Sequence, residues 1–128
     1  MVRILIADDK ELVRTGIRMI VENHEDWAVC GEATDGRDAI EKAVELKPDV
    51  ILLDVIMPNL DGLSACRLIR EKVPNTQILV LTFYESLDIA RAAADAGACG
   101  YVSKALVPSD LIPAIESIMN HPLVPSLP

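Results

Sequence analysis

Val50-Ile51-Leu52-Leu53-Asp54-Val55-Ile56-Met57-Pro58 carries four large apolar residues straight into a carboxylate, resumes with apolar residues and stops at proline. A continuous apolar run of this length between turn formers is the pattern of a strand covered on both faces, as in a parallel sheet packed between helices. An unpaired carboxylate inside such a layer is costly. Asp54 therefore belongs at the carboxyl end of the strand, where the sheet opens to water.

The same pattern recurs along the chain. Val2 to Ala7 is apolar and runs into Asp8-Asp9, Gln77 to Leu81 runs into Thr82, and Cys99 to Ser103 runs into Lys104. Trp27 to Glu32 is a further strand. Helical spacing fills the intervals. Glu11 to Asn23 predicts a helix with Leu12, Gly16, Ile17, Met19, Ile20 and Val21 on one broad inner face. Glycine in a helix costs about 1 kcal/mol relative to alanine, so Gly16 is expected to mark a close approach to the sheet. Asp35-Gly36 opens a second helix with Ala39, Ile40, Ala43 and Val44 inward, ended by Lys47-Pro48-Asp49. Asp61 is the N-cap of a third, with Leu63, Cys66, Ile69 and Val73 inward. Ser86 caps a fourth, packed through Ala90, Ala93 and Ala94 and closed by Gly97. Ser109 caps a fifth, with Pro113 in its first turns and Ile112, Ile115, Ile118 and Met119 as its stripe. Strands and helices in strict alternation predict an α/β, doubly wound, three-layer sandwich, its parallel strands joined by right-handed crossovers. Ligands on such a sheet bind beyond the carboxyl ends of the strands.

Bulk properties narrow the function. The 128 residues suit one domain, assigned to 1–120; residues 121–128 hold three prolines and read as the start of a linker. A hydrophobic fraction of 51% with only 3% aromatic calls for an aliphatic core. The net charge of -8 argues against this segment gripping nucleic acid or an anionic membrane surface. Cys30, Cys66 and Cys99 show no C-x-x-C spacing and are expected to be packed free thiols. With acidic residues at 8, 9 and 11, residues 1–20 do not resemble a signal peptide, and no apolar run reaches the ~20 residues of a membrane span; a cytoplasmic location is expected. His24 and His121 are expected to be solvated, and Trp27 to anchor packing.

The fold thus gathers Asp8, Asp9, Asp54, Thr82 and Lys104 at one sheet edge. Three adjacent carboxylates tolerate one another around a divalent cation, and hard oxygen ligands favour Mg2+ or Mn2+. Mg2+ held by carboxylates and phosphate oxygens is the arrangement of phosphoryl transfer, which needs positioning and charge neutralisation above all. Lys104 offers a point charge for a phosphoryl oxygen, the Thr82 hydroxyl a hydrogen bond, and Asp54 a nucleophile that becomes an aspartyl phosphate.

Ile6-Ala7-Asp8-Asp9, Leu53-Asp54 through Asp61-Gly62, Val80-Leu81-Thr82 and Gly97 through Lys104 together make the chain similar to the receiver domain of two-component response regulators. Gly16, Gly36-Arg37-Asp38 and the alanine-rich fourth helix most resemble receivers of LuxR-like (NarL/FixJ-type) helix-turn-helix regulators. The resemblance implies a flavodoxin-like sheet of order 2-1-3-4-5. It implies Mg2+ held by Asp8, Asp9, Asp54 and the backbone carbonyl of Ile56, with Asp9 the more direct of the first pair, and a sensor histidine kinase as donor to Asp54. It further implies a switch in which Thr82 moves toward the phosphoryl group and Tyr101 turns inward behind it. Homodimerisation on phosphorylation, and DNA binding through an output domain beyond these residues, follow from the same likeness. The domain is then a signalling module that catalyses only its own phosphorylation and slow dephosphorylation.

Departures from the family pattern carry their own expectations. Phe83 stands after the switch threonine where a small residue is common, and narrows access to Asp54. Ala105 stands where a cis-proline is common, and a non-proline cis bond costs about 3 kcal/mol, so the loop after Lys104 is open to a different geometry. Ile56 and Tyr84 offer no group to position an attacking water, which predicts a long-lived phosphoryl group. Among competing readings, a haloacid dehalogenase-type phosphohydrolase would place a carboxylate at Ile56. A flavin carrier of similar topology would not place Asp8-Asp9-Lys10-Glu11 where its phosphate loop must lie. A phosphorylation-independent interaction domain with the same fold is the alternative from a different functional class.

Overall fold

Five strands and five helices alternate along the chain in the computed structural model, which describes residues 1–57, 59–83 and 86–120. Pro58, Tyr84, His121 and the proline-rich segment 121–128 lie outside the described residues. The strands are β1 (Val2–Ala7), β2 (Trp27–Ala33), β3 (Val50–Asp54), β4 (Gln77–Thr82) and β5 (Gly100–Ser103). All pair in parallel, in the order β2-β1-β3-β4-β5. The helices are α1 (Glu11–Glu22), α2 (Gly36–Leu46), α3 (Gly62–Lys72), α4 (Leu87–Asp95) and α5 (Val107–Asn120).

Every residue of β3 is buried, as its unbroken apolar run requires. Side chains alternate between two cores. Leu5, Ile51, Leu53, Ile78 and Val80 point to one face and pack on Ala39, Ala43, Cys66, Ile69, Ala93 and Ala96 of α2, α3 and the end of α4. Ile4, Ile6, Val50, Leu52, Leu79 and Leu81 point to the other and pack on α1 and α5 through Ile17, Val21, Leu111, Ile115 and Ile118. Cys30 is the extra residue of a bulge in β2, because Ile4 pairs with Val29 and Leu5 with Gly31. The three cysteines are free thiols; burial pushes that of Cys66 up to about 11.

Asp61 and Ser86 cap α3 and α4 as expected, and Asp35, which opens α2, caps it likewise, each accepting a backbone N–H three residues on. Gly97 takes φ +102 after α4, and the N–H of Ala98 closes on the carbonyl of Ala93. Several sequence expectations are overturned. Leu12 and Met19 on α1 are 87% and 69% exposed, leaving only Ile17 and Val21 fully buried there. Val44 and Ala94 also face solvent. The apolar arcs read from spacing were wider than the contact a single helix makes with a sheet. Gly16 is exposed, with nothing within 4 Å of where a Cβ would stand, so no close approach explains it. Ser109 does not begin the last helix. A 3-10 turn over Lys104–Leu106, capped by the Ser103 hydroxyl, leads directly into α5 at Val107, and Pro113 lies inside the formed helix. His24 is not simply solvated: its ring stacks on buried Trp27 at 3.8 Å, and its Nε2 lies 4.0 Å from Glu116. Among the described residues no peptide bond is cis, so the chain leaves Lys104 by an ordinary trans bond into the 3-10 turn.

Candidate functional site

At the carboxyl end of the sheet β1, β3 and β4 deliver Asp8, Asp54 and Thr82 to one place, and the residue after β5 delivers Lys104. Asp8, Asp54 and Thr82 are 1%, 5% and 1% exposed. Lys104 runs its side chain inward until only 5% is exposed, and its ammonium bridges two carboxylates, 2.5 Å from Asp8 Oδ2 and 3.1 Å from Asp54 Oδ2. A lysine so deeply placed requires such partners, since an isolated buried ammonium is not tolerated. Asp54 Oδ1 accepts the Ile56 N–H at 3.3 Å, and Asp8 Oδ1 accepts the Lys10 N–H at 2.8 Å.

Burial pushes the Asp54 carboxyl up; the Lys104 ammonium opposes this and the Asp8 charge reinforces it, with a net rise. A carboxylate held in this way is poorly solvated, which favours nucleophilic use of its oxygen over idle exposure. Asp9 stands at the rim, one of its oxygens 3.5 Å from Lys10 Nζ. One carboxylate oxygen from each of Asp8, Asp9 and Asp54 falls within 4.8 Å of the others. An all-oxygen donor set of this charge fits a small divalent cation.

A cavity of about 260 Å³ opens above these groups, lined by Lys10, Asp54, Ile56, Thr82, Phe83 and Lys104. Its mouth is partly apolar: Ile56 is 55% and Phe83 60% exposed. The Phe83 ring lies 5.4 Å from the Lys104 ammonium, within cation–π range. Tyr101 stands apart from this cavity. It is 38% exposed on β5 and lines a separate groove of about 100 Å³ against Ala90, Ala93 and Ala94.

Residues assigned no role in the site from the sequence hold the loop between β3 and α3. A Cβ on Gly62 would stand 1.9 Å from the Asp54 carbonyl oxygen, and one on Gly36 2.0 Å from that of Leu60. Both positions exclude any side chain. Asn59 takes φ +69 and donates from Nδ2 to Asp35 Oδ2 at 2.8 Å, so the cap of α2 also ties down the loop beside Asp54. The sequence placed Asp61-Gly62 at the start of a helix and within the receiver motif; the contacts that make Gly62 obligatory are tertiary.

The model of the response regulator receiver domain matches residues 4–116. The chain belongs to the response regulator receiver family. Receivers are phosphorylation-dependent switches, and receivers in general bind Mg2+. This receiver is 42% identical over 116 residues to the transcriptional regulatory protein YxjL of Bacillus subtilis, covering 91% of this chain and 53% of YxjL. It is 38% identical over 120 residues to the response regulator UvrY of Escherichia coli, covering 94% of this chain and 55% of UvrY. A LuxR-family two-component response regulator from Aurantimonas superposes with a TM-score of 0.91 at 35% identity, over 98% of this chain and 91% of that one. The receiver thus spans about half the length of the curated relatives it matches. Among its described residues no helix is long and apolar enough to cross a membrane.

Proposed function

We propose that Asp54 is the phosphoryl acceptor of this receiver and that Asp8 and Asp9, with Asp54 and the Ile56 carbonyl, hold the Mg2+ that its phosphorylation needs. The observation that carries the reading is the Lys104 ammonium shared between buried Asp8 and Asp54, with Asp9 close enough to complete a cation site. An Asp54 oxygen attacks the phosphorus of a phosphohistidine on a sensor kinase. The P–N bond breaks and its electron pair stays on the imidazole. Mg2+ held by Asp8, Asp9, Asp54 and the Ile56 carbonyl would supply charge neutralisation for the phosphoryl oxygens. Lys104 leaves Asp54 for one of those oxygens while keeping Asp8, and the Thr82 hydroxyl donates to another. Thr82 drawn inward leaves space that Tyr101 fills, biasing the α4–β5 face. The transfer and the later hydrolysis are catalysed by the receiver itself.

Residues 1–120 form the receiver and 121–128 begin a linker. In the whole protein, phosphorylation promotes homodimerisation and regulates transcription through a DNA-binding output domain, in the cytoplasm. The test is incubation with acetyl phosphate and Mg2+, followed by mass spectrometry. Wild type gains one phosphoryl group and Asp54→Asn gains none. A wild-type chain that stays unmodified with both acetyl phosphate and a phosphorylated kinase would instead identify a phosphorylation-independent interaction domain.

A further inference from the structure

Asp9 sits at the rim of the carboxylate cluster, where among the described residues its side chain pairs with Lys10, 3.5 Å away and itself 62% exposed. Lys10, at the N-cap of α1, makes no side-chain capping bond. The backbone must therefore aim the Asp9 carboxylate. The carbonyl of Asp8 and the N–H of Asp9 belong to one rigid peptide plane. That carbonyl accepts a hydrogen bond from Arg14 Nη1 at 2.8 Å, reaching back from α1. Arg14 is only 13% exposed, and its Nε is held at 2.9 Å by Glu32 Oε1 on β2. Glu32 is gripped in turn by Arg18 from one turn further along α1. The guanidinium bonds lower the Glu32 carboxyl against the opposing effect of its burial.

We infer that Arg14, clamped by Glu32, is a positioning residue for the metal site: it fixes the Asp8–Asp9 peptide plane and so sets the affinity of the receiver for Mg2+. The inference rests on the metal site proposed above. Glu32 serves it twice. It fixes the guanidinium in direction, and it neutralises a positive charge that would otherwise repel an incoming cation. Arg14 holds the backbone carbonyl of Asp8 and not the carboxylate through which Asp8 meets Lys104, so its effect falls on metal binding and not on the phosphoryl transfer that follows.

Direct titration tests this, using Mn2+ followed by the electron paramagnetic resonance of the free ion, with Mg2+ added as competitor. Arg14→Met is expected to weaken the metal by roughly threefold to tenfold, the usual reach of a mutation behind a metal ligand being 10- to 100-fold. Arg14→Lys, which keeps one donor, should fall between Arg14→Met and wild type. Glu32→Gln should also weaken binding, and more so at low ionic strength, where the uncompensated Arg14 charge is least screened. Phosphorylation by acetyl phosphate should need correspondingly more Mg2+ in Arg14→Met, yet reach a similar rate at saturation. A merely structural role would lower that saturated rate or leave the metal affinity unmoved. If Arg14→Met fails to fold, Arg14→Lys and Glu32→Gln decide alone. Unchanged metal affinity in folded Arg14 and Glu32 variants, with affinity abolished in Asp9→Asn, overturns this inference and leaves the metal site standing. Wild type that binds no metal overturns both.

Discussion

Asp54, buried at the carboxyl end of β3, bears on stability as well as on chemistry. Burial raises its carboxyl above the ordinary value of 3.8, with Lys104 offsetting part of the effect. The sign follows from linkage. Between 3.8 and the raised folded value, the folded state binds more protons than the unfolded one, so this group's contribution to stability falls as pH rises through that window. Above it the cost is fully present; below 3.8 both states are protonated and it vanishes. Asp54→Asn is therefore expected to be more stable than wild type at pH 7, by about 1 kcal/mol, the common size of a single-site effect. The difference should shrink as pH is lowered toward 3.8. Paired urea melts at several pH values check this, and a difference that widens on acidification would contradict it. Ile56 makes a second residue-scale case. Its apolar side chain is half exposed at the mouth of the cavity and offers nothing to hold a water. Ile56→Asn should hasten loss of the aspartyl phosphate by roughly tenfold, less than the 100-fold and more that a true general base supplies. A decay time course measures it, and an unchanged half-life would reject the role given to Ile56.

Helices α1 and α3 each carry a glycine, and the two positions differ in kind. Gly62 begins α3 with the Asp54 carbonyl where a Cβ would have to be. Gly62→Ala must push the first turn of α3 away from the end of β3, costing about 2–3 kcal/mol by overpacking. It also displaces the loop over the site. Gly16 sits exposed on α1 with open space around it. Gly16→Ala should add about 1 kcal/mol through helix propensity alone. Chemical denaturation of the two variants should give opposite signs; a destabilised Gly16→Ala would contradict the open space around Gly16. From the sequence these positions read the other way round, since Gly16 lay in a helical pattern and invited a packing reason while Gly62 simply followed the N-cap Asp61. Spacing along one element reports the period of a helix. It does not report how near another element's backbone comes.

Across the whole molecule, the site is a charge cluster assembled from three distant parts of the chain, and only folding brings them together. A cation that binds the folded cluster and not the unfolded chain must raise stability by mass action. At Mg2+ ten times its dissociation constant the gain is about 1.4 kcal/mol, visible as a rise in Tm. Chelation should reverse the rise and Asp9→Asn should abolish it. A rise of equal size in Asp9→Asn would place the metal elsewhere on this acidic surface.

Much of this architecture was legible before any coordinates. The apolar runs ending in Asp8, Asp54, Thr82 and Lys104 determined the parallel sheet and the edge at which its polar residues gather, because a buried strand permits such groups only at its end. The caps at Asp35, Asp61 and Ser86 were equally local, each a side chain meeting a backbone N–H three residues on. What only the tertiary structure decided was which faces of α1, α2 and α4 meet the sheet, where α5 starts, and how close separate backbones come. It decided that Lys104 bridges Asp8 and Asp54 over a sequence gap of 96 and 50 residues. It decided too that Arg14 and Asn59 stand behind the loops that carry the site. Those contacts depend on distances between elements, and no periodicity within an element encodes them. Around Asp54, then, the chain itself specified the carboxylate at the strand end, while the packed molecule specified the ammonium, the glycine and the guanidinium that make its setting.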